Sequence, residues 1–408
     1  MLPTPLVRIL ALFLFILPGC TTMTGLGNPE LPYPPQRPPQ VGDILHLPTG
    51  YYVPQDALLA AATDARIVYV GETHDNPASH RLELTLLKAL QEKSPGRVTL
   101  AMEMFTPAQQ AALDRWSAGE LTEKEFIKQS EWGKVWRMNF AYYRDLLQFA
   151  RDMRIPVIGL NADRELVKAL GHSLPEELPP DQQEQLPQLD MSDPYQSALV
   201  TEIYGGHVSG QSKLDGFRRV QTLWDETMAE NIVRFLQSPQ GDDRQLLVVA
   251  GGNHIRNGFG IPRRVFRRLP TSYLLVGSEE LNIPEELQNR LMDVTLPAFP
   301  MPAFDYLVYT DYETLPDQVR LGVMLEEQDG QVVITEIIPG SLAADMDIRA
   351  DDRVLEFDGQ KISEVFDLVY AVQQKVPGDK GVLVLSRGGE VLTLEVTFRS
   401  AEPAGHHK

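Results

Sequence analysis

Two hydrophobic patterns alternate along most of the chain, and a third replaces them near the C-terminus. Short apolar runs predict buried strands at Arg66 to Gly71 (RIVYVG), Val98 to Met104 (VTLAMEM), Pro156 to Leu160 (PVIGL), Leu246 to Ala250 (LLVVA) and Tyr273 to Val276. Helical periodicity lies between them. Ser79 to Lys93 sets Leu82, Leu86, Leu87 and Leu90 on one face, and Tyr142 to Met153 and Phe217 to Leu236 read as further helices. Thr106-Pro107 supplies an N-cap and a proline at a first helical position. Continuous apolar strands separated by helices predict an α/β fold, with a mostly parallel sheet and flanking helices, over residues 45–300. Residues 174–194, rich in proline and acids, read as an inserted loop or lid. After residue 300 come short strands with glycine turns, one helix at about Ser363 to Lys375, and a hairpin joined at Gly388-Gly389. That pattern predicts a small β-rich domain over residues 318–399.

The N-terminus follows neither pattern. Ile9 to Leu17 is unbroken and apolar behind Arg8, and too short to span a bilayer, which needs about 20 residues. It runs into Leu17-Pro18-Gly19-Cys20, similar to the cleavage box of bacterial lipoproteins. Residues 1–19 therefore predict a signal peptide, and Cys20, the only cysteine, a lipid-modified N-terminus. Acylation of Cys20 would leave no thiol for a disulfide or a metal. Residues 20–44 read as a proline-rich tether, with prolines at 29, 32, 34, 35, 38 and 39 favouring extended chain. The expected location is the cell envelope. Thr21, by resemblance to Gram-negative lipoproteins, implies the outer membrane, facing periplasm or surface.

Charge narrows the partners. The 408 residues carry a formal charge of −19, which disfavours a nucleic-acid partner because phosphates would be repelled. Arg263, Arg264, Arg267 and Arg268 recur at helical spacing and read as a solvated helix face.

Ligands of parallel sheets bind beyond the carboxyl ends of the strands. Here the strand ends deliver Gly71-Glu72-Thr73-His74, then Glu103, then Asn161 with Asp163 and Arg164, then Gly251-Gly252-Asn253-His254. Two share the form G-x-x-H. Two imidazoles and two carboxylates suit a divalent metal with an open position: His74 and His254 as ligands, Glu72 and Glu103 as further ligands or general base. Each histidine taken alone would equally suit a hydrogen-bonded turn. His80 and His172 read as surface residues.

The segments GETHDN, AMEMF, IPVIGLN, LWDETMAENI and GGNHIRNGFGIP resemble, in order, the Tiki superfamily, whose members include metal-dependent proteases and erythromycin-esterase-like hydrolases. The nearer likeness is to its ChaN-like branch of haem-binding uptake lipoproteins. The resemblance implies haem as cofactor and a role in iron acquisition, with tyrosine and histidine as axial ligands. Tyr204 and His207 in EIYGGHVSG, and Tyr195 upstream, are the candidates. It also implies that Asp225 and Glu226, within WDETMA, line or support the site. The alternative is a divalent-metal-dependent hydrolase or peptidase acting at the paired G-x-x-H motifs.

Residues 318–399 resemble a bacterial PDZ domain, with LGVML as its carboxylate-binding loop and first groove strand. The amides of Leu321, Gly322 and Val323 would receive the C-terminal carboxylate of an envelope protein, with Leu368 and Val372 lining the side-chain pocket. Met346-Asp347-Ile348 and Ala350-Asp351-Asp352 depart from the usual PDZ pattern. If the groove is not used for peptide, the module would serve as a packing surface or form a homodimer.

Overall fold

In a computed structural model, residues 28–29, 31–205, 211–290 and 296–400 are described. Residues 1–19, read as a signal peptide, together with Cys20 and His207, lie outside them. The N-terminal sheet contains β1 (Ile44–His46), β2 (Tyr51–Val53), β3 (Ile67–Glu72), β4 (Val98–Met102), β5 (Val157–Gly159), β6 (Gln245–Gly251), β7 (Tyr273–Asn282) and β8 (Tyr306–Asp311). Their order is β2-β1-β8-β7-β3-β6-β4-β5. From β8 to β5 every pairing is parallel, and the β1–β2 hairpin adds antiparallel to β8.

Side-chain alternation explains why the strands read as continuous apolar runs. Val68 and Val70 of β3, with Leu247 and Val249 of β6, enter one core beside Leu82, Leu86, Leu87 and Leu90. Ile67 and Tyr69, with Leu246, Val248 and Ala250, enter a second core beneath Met228, Ile232 and Leu236. Both faces are buried, so neither shows a polar period. The helices that cover them include Pro77–Lys93, capped by the Asn76 side chain, and Gln211–Leu236.

Several expectations shift. The sheet continues to Asp311, past the expected domain end at 300, because β8 inserts between β1 and β7. The second half of the proline-rich stretch lies against the domain: Tyr52 donates to the Arg37 carbonyl at 2.9 Å, and Gly42 to the Tyr309 carbonyl at 2.8 Å. The 174–194 segment packs Leu178, Leu186 and Leu189 against Leu166, Leu170 and Leu223. The arginine run is not a solvated face. Arg264 is fully buried, with Nε 3.0 Å from the equally buried Glu226, and Arg267 and Arg268 close on the same carboxylate at 3.0 and 2.6 Å. A buried carboxylate needs paired charge, and the run supplies it. Glu226 is therefore spent here and takes no part at the strand ends.

The C-terminal domain is a second sheet of β9 (Val323–Gln328), β10 (Gln331–Ile337), β11 (Arg353–Phe357), β12 (Gln360–Lys361), β13 (Lys380–Arg387) and β14 (Glu390–Thr397), with one helix, Val365–Gln373. Its order is β14-β13-β11-β10-β9, with β12 on β11. Its core gathers Val332, Val354, Phe357, Leu383, Leu385 and Phe398. Asp351, in one of the two departures from the PDZ pattern, holds φ of 69°, a left-handed conformation that glycine adopts more readily. The neighbouring Asp352 is buried and takes two bonds from Arg387, at 2.7 and 2.8 Å.

Candidate functional site

The central strands β3, β6 and β4 are neighbours, and their carboxyl ends bring three of the four polar termini together. Glu72 is the last residue of β3 and stands opposite Gly251 in register. Glu103 follows β4 and accepts the Gly251 amide at 2.7 Å. His254 sits in the short helix Gly252–Ile255 beyond β6. The fourth terminus is structural: Asp163 caps the helix Arg164–His172, accepting from Glu165 and Leu166. Glu72 is no cap, since Asn76 holds that position for the following helix.

The polar groups form a series in which acid and imidazole alternate, buried throughout except at His74, which is half-buried. His74 Nδ1 lies 2.7 Å from Glu72 Oε1, and Tyr143 donates its hydroxyl to the same oxygen at 3.0 Å. His80 Nδ1 lies 3.0 Å from Glu72 Oε2 and 3.3 Å from Glu83 Oε2. On the other side, His254 Nε2 is 3.5 Å from Glu103, and its Nδ1 donates to Asp225 at 2.6 Å. Gly251 lets the two halves meet. A methyl added there would stand 2.9 Å from His74 Nε2 and 3.7 Å from Glu103 Oε2. Trp136 and Trp224 set their rings edge-on to His74 and His254, with centroids 5.0 and 6.1 Å apart.

Burial alone would strip the imidazoles of their protons. The carboxylates beside them outweigh it, raising His74 to about 9, His80 to about 11 and His254 to about 10. Burial would likewise raise Glu72 and Glu103, but the imidazoles hold both below the usual carboxylate range. Glu83 goes the other way, raised to about 8 by burial and then by Glu72. At neutral pH without a metal the three imidazoles are thus cations, and none is a free base.

The structure gathers Glu72, His74, Glu103 and His254 along one edge but does not converge them on a point. Among the described residues, the one group of three whose ligand atoms all lie within 4.8 Å of one another is Glu72, His80 and Glu83. His80, expected at the surface, is buried, because the helix Pro77–Lys93 turns it inward beside the leucine stripe. His172 is exposed. Glu83 and Tyr143 were not singled out from sequence. His80, Glu83, Leu87 and Leu90 are spaced 3, 4 and 3 apart, so helical phase alone places the polar pair on the buried face.

The tyrosines read as haem ligands sit on one helix, Pro194–Gly205, nine residues apart and so on opposite faces. Tyr204 is buried against Phe217, with centroids 5.0 Å apart, and its hydroxyl has no partner among the described residues. Tyr195 is exposed, stacks on Phe259 with centroids 5.6 Å apart, and lines a groove of about 480 Å³ with Arg263, Phe266, Tyr273 and Met301.

In the C-terminal domain, Leu321, Gly322 and Val323 meet Leu368 and Val372 around a cavity of about 290 Å³. Gly322 holds φ of 81°, and a side chain there would collide with Ser341. Ile338 and Ala343 donate to the Gly322 and Leu321 carbonyls at 2.9 and 2.8 Å, fixing the loop. The departures at 346–348 and 350–352 lie outside the groove.

A family model described as haem-binding uptake, Tiki superfamily, ChaN matches residues 58–265, and a PDZ model matches residues 319–398. Among solved structures, one of cofacial haem binding to ChaN of Campylobacter jejuni aligns over 66% of this chain and 98% of its own, at 17% identity and a TM-score of 0.51. The HtrA-type protease AlgW with a decapeptide aligns over 21% and 30%, at 20% identity and a TM-score of 0.21. A serine endoprotease from Yersinia pestis aligns over 21% and 30%, at 19% identity and a TM-score of 0.20. No curated protein matches.

Proposed function

The chain belongs to the haem-binding uptake family of the Tiki superfamily typified by ChaN, and from that membership we propose a haem-binding lipoprotein of the cell envelope, held by lipid on Cys20 and serving iron acquisition. The observation that carries the haem reading is the aromatic groove beside Tyr195. A porphyrin is flat and apolar with two carboxylate arms. Phe259, Phe266, Tyr273 and Met301 offer matching surface, and Arg263 a cation at the rim. Its size falls within the usual range for small-molecule pockets, roughly 300–1,000 Å³. Tyr195 would hold the haem iron, and haem bound there would be carried as cargo. Tyr204, whose hydroxyl has no partner among the described residues, is the second candidate, together with His207.

Titration of the detergent-solubilised full chain with haemin tests this. A Soret shift that Tyr195→Phe abolishes and Tyr204→Phe preserves supports the groove. The reverse result moves the seat to the helix end, and no shift in the wild-type chain overturns the haem reading.

The hydrolase reading has less behind it. It needs His74 and His254 on one ion with Glu72 or Glu103, and those atoms do not meet as a set of three. PDZ domains bind peptides, and the groove at Leu321 to Val323, walled by Leu368 and Val372, suits a C-terminal segment ending in an apolar residue. An envelope protein would supply it.

A further inference from the structure

The innermost part of the strand-end series is built differently from the rest. Glu72, His80 and Glu83 come from the end of β3 and the first two turns of the next helix, and all three are buried. His80 Nε2 lies 3.1 Å from the His74 backbone carbonyl. A carbonyl only accepts, so Nε2 carries the hydrogen. In the metal-free chain Nδ1 carries a proton and faces Glu72 Oε2 at 3.0 Å and Glu83 Oε2 at 3.3 Å; once that proton leaves, its lone pair points at both oxygens. Three lone-pair donors turned toward one another repel unless a cation lies between them. Glu83 Oε1 adds a fourth, buried and without a hydrogen-bond partner among the described residues.

The spacing fits a metal ion. Around an ion bonded at about 2.1 Å, two donors stand about 3.0 Å apart at a right angle and about 3.4 Å apart at the tetrahedral angle. The His80 separations fall within that span, so an ion could enter without moving the ring. The second ring nitrogen bonded to a carbonyl is also how ligating histidines are usually oriented. We propose that Glu72, His80 and Glu83 form a binding site for one divalent first-row transition metal ion, of the class of Fe²⁺, Mn²⁺ or Zn²⁺. One imidazole with two carboxylates suits these ions and lacks the thiolate that softer ions prefer. The site is distinct from the haem groove and requires neither His254 nor Glu103. A proton is the competing occupant, and the experiment separates the two.

The full chain, stripped with a chelator and returned to buffer, is titrated calorimetrically with Mn²⁺, Zn²⁺ and, anaerobically, Fe²⁺, and bound metal is counted by elemental analysis. One equivalent of at least one of them is expected. Losing an outer partner of a metal site costs about 10–100-fold in affinity, so losing a ligand in Glu83→Gln should cost about 100-fold or more. His254→Ala should leave binding within about threefold. Glu83→Gln is near-isosteric, and an unchanged circular dichroism spectrum shows that its fold survives. Should His80→Ala fail to fold, Glu83→Gln still decides. No bound equivalent in the wild-type chain, or wild-type affinity in Glu83→Gln, overturns the proposal and leaves a proton in the place. Loss in His254→Ala with retention in Glu83→Gln overturns it as well, in favour of the Glu103 side. Haemin titration of the stripped chain reads the haem site separately.

Discussion

The two G-x-x-H turns carry the same motif but end in different chemistry. His254 is held at both ring nitrogens, by Asp225 at 2.6 Å and toward Glu103 at 3.5 Å. His74 is held at one, by Glu72, and its side chain is 35% exposed. The inner position of its half-site belongs instead to His80, which no motif marks. A short motif therefore fixes where a side chain leaves the strand, and the neighbouring helix decides its role. The first turn is backed by the helix Pro77–Lys93, which contributes His80 and Glu83. The second is backed by Gln211–Leu236, which contributes Asp225 and a nearby Gln221.

The contrast can be broken most directly by removing one acid from each half. Asp225→Ala strips a buried imidazolium of its partner and should cost about 3–5 kcal/mol in denaturant melts of the metal-free chain. Glu83→Gln should cost under about 1 kcal/mol there, because Glu83 is raised to about 8 and is mostly protonated at neutral pH, so a neutral amide replaces a neutral acid. Equal costs would mean the halves do not differ.

Alkali gives a weaker test of the same point. His254 is raised from its ordinary value to about 10, so its contribution to stability is complete below about pH 6.5 and is lost as pH rises through about 10. Melts between pH 6 and 10 should show that decline, and Asp225→Asn should flatten it. An unchanged slope would remove Asp225 from the account.

The smallest expected effect is at the junction. Gly251→Ala places a methyl 2.9 Å from His74 Nε2 and 3.1 Å from Cε1. The backbone there has φ of −54°, so strain is absent and only crowding remains. A partly exposed ring can yield, and the cost should be about 1 kcal/mol. In a His74→Ala background it should vanish; if it persists, the halves meet through something other than His74.

Much of this edge was legible in the sequence because a parallel sheet sends every strand end to the same side. Glu72, His74, Glu103 and His254 follow from that rule and from the apolar runs before them. Asp225 stood within a recognisable segment, but its pairing with His254 depends on how a helix crosses the sheet, which periodicity does not give. His80 and Glu83 were masked by the leucines at 82, 86, 87 and 90, which define the buried face so strongly that polar residues in phase with them pass as surface. Arg264 was misread for a similar reason: a run of arginines suggests solvent until the buried Glu226 it neutralises is known. β8 was missed because proline punctuates the chain just before it, at 297, 300 and 302, and because its neighbours β1 and β7 lie at opposite ends of the domain sequence.

That last pairing bears on how the domain is made. β1 waits for β8, with Ile44 opposite Val308. A nascent chain emerging from its N-terminus cannot seat the first hairpin until nearly the whole domain has followed it, and so long a loop makes this a late, slow closure. A fragment ending near residue 300 would leave β7 as a raw edge and the hairpin without a partner, inviting pairing between copies. The segment that completes the sheet is the same one that leads into the PDZ domain, so the N-terminal domain finishes folding only as synthesis of its neighbour begins.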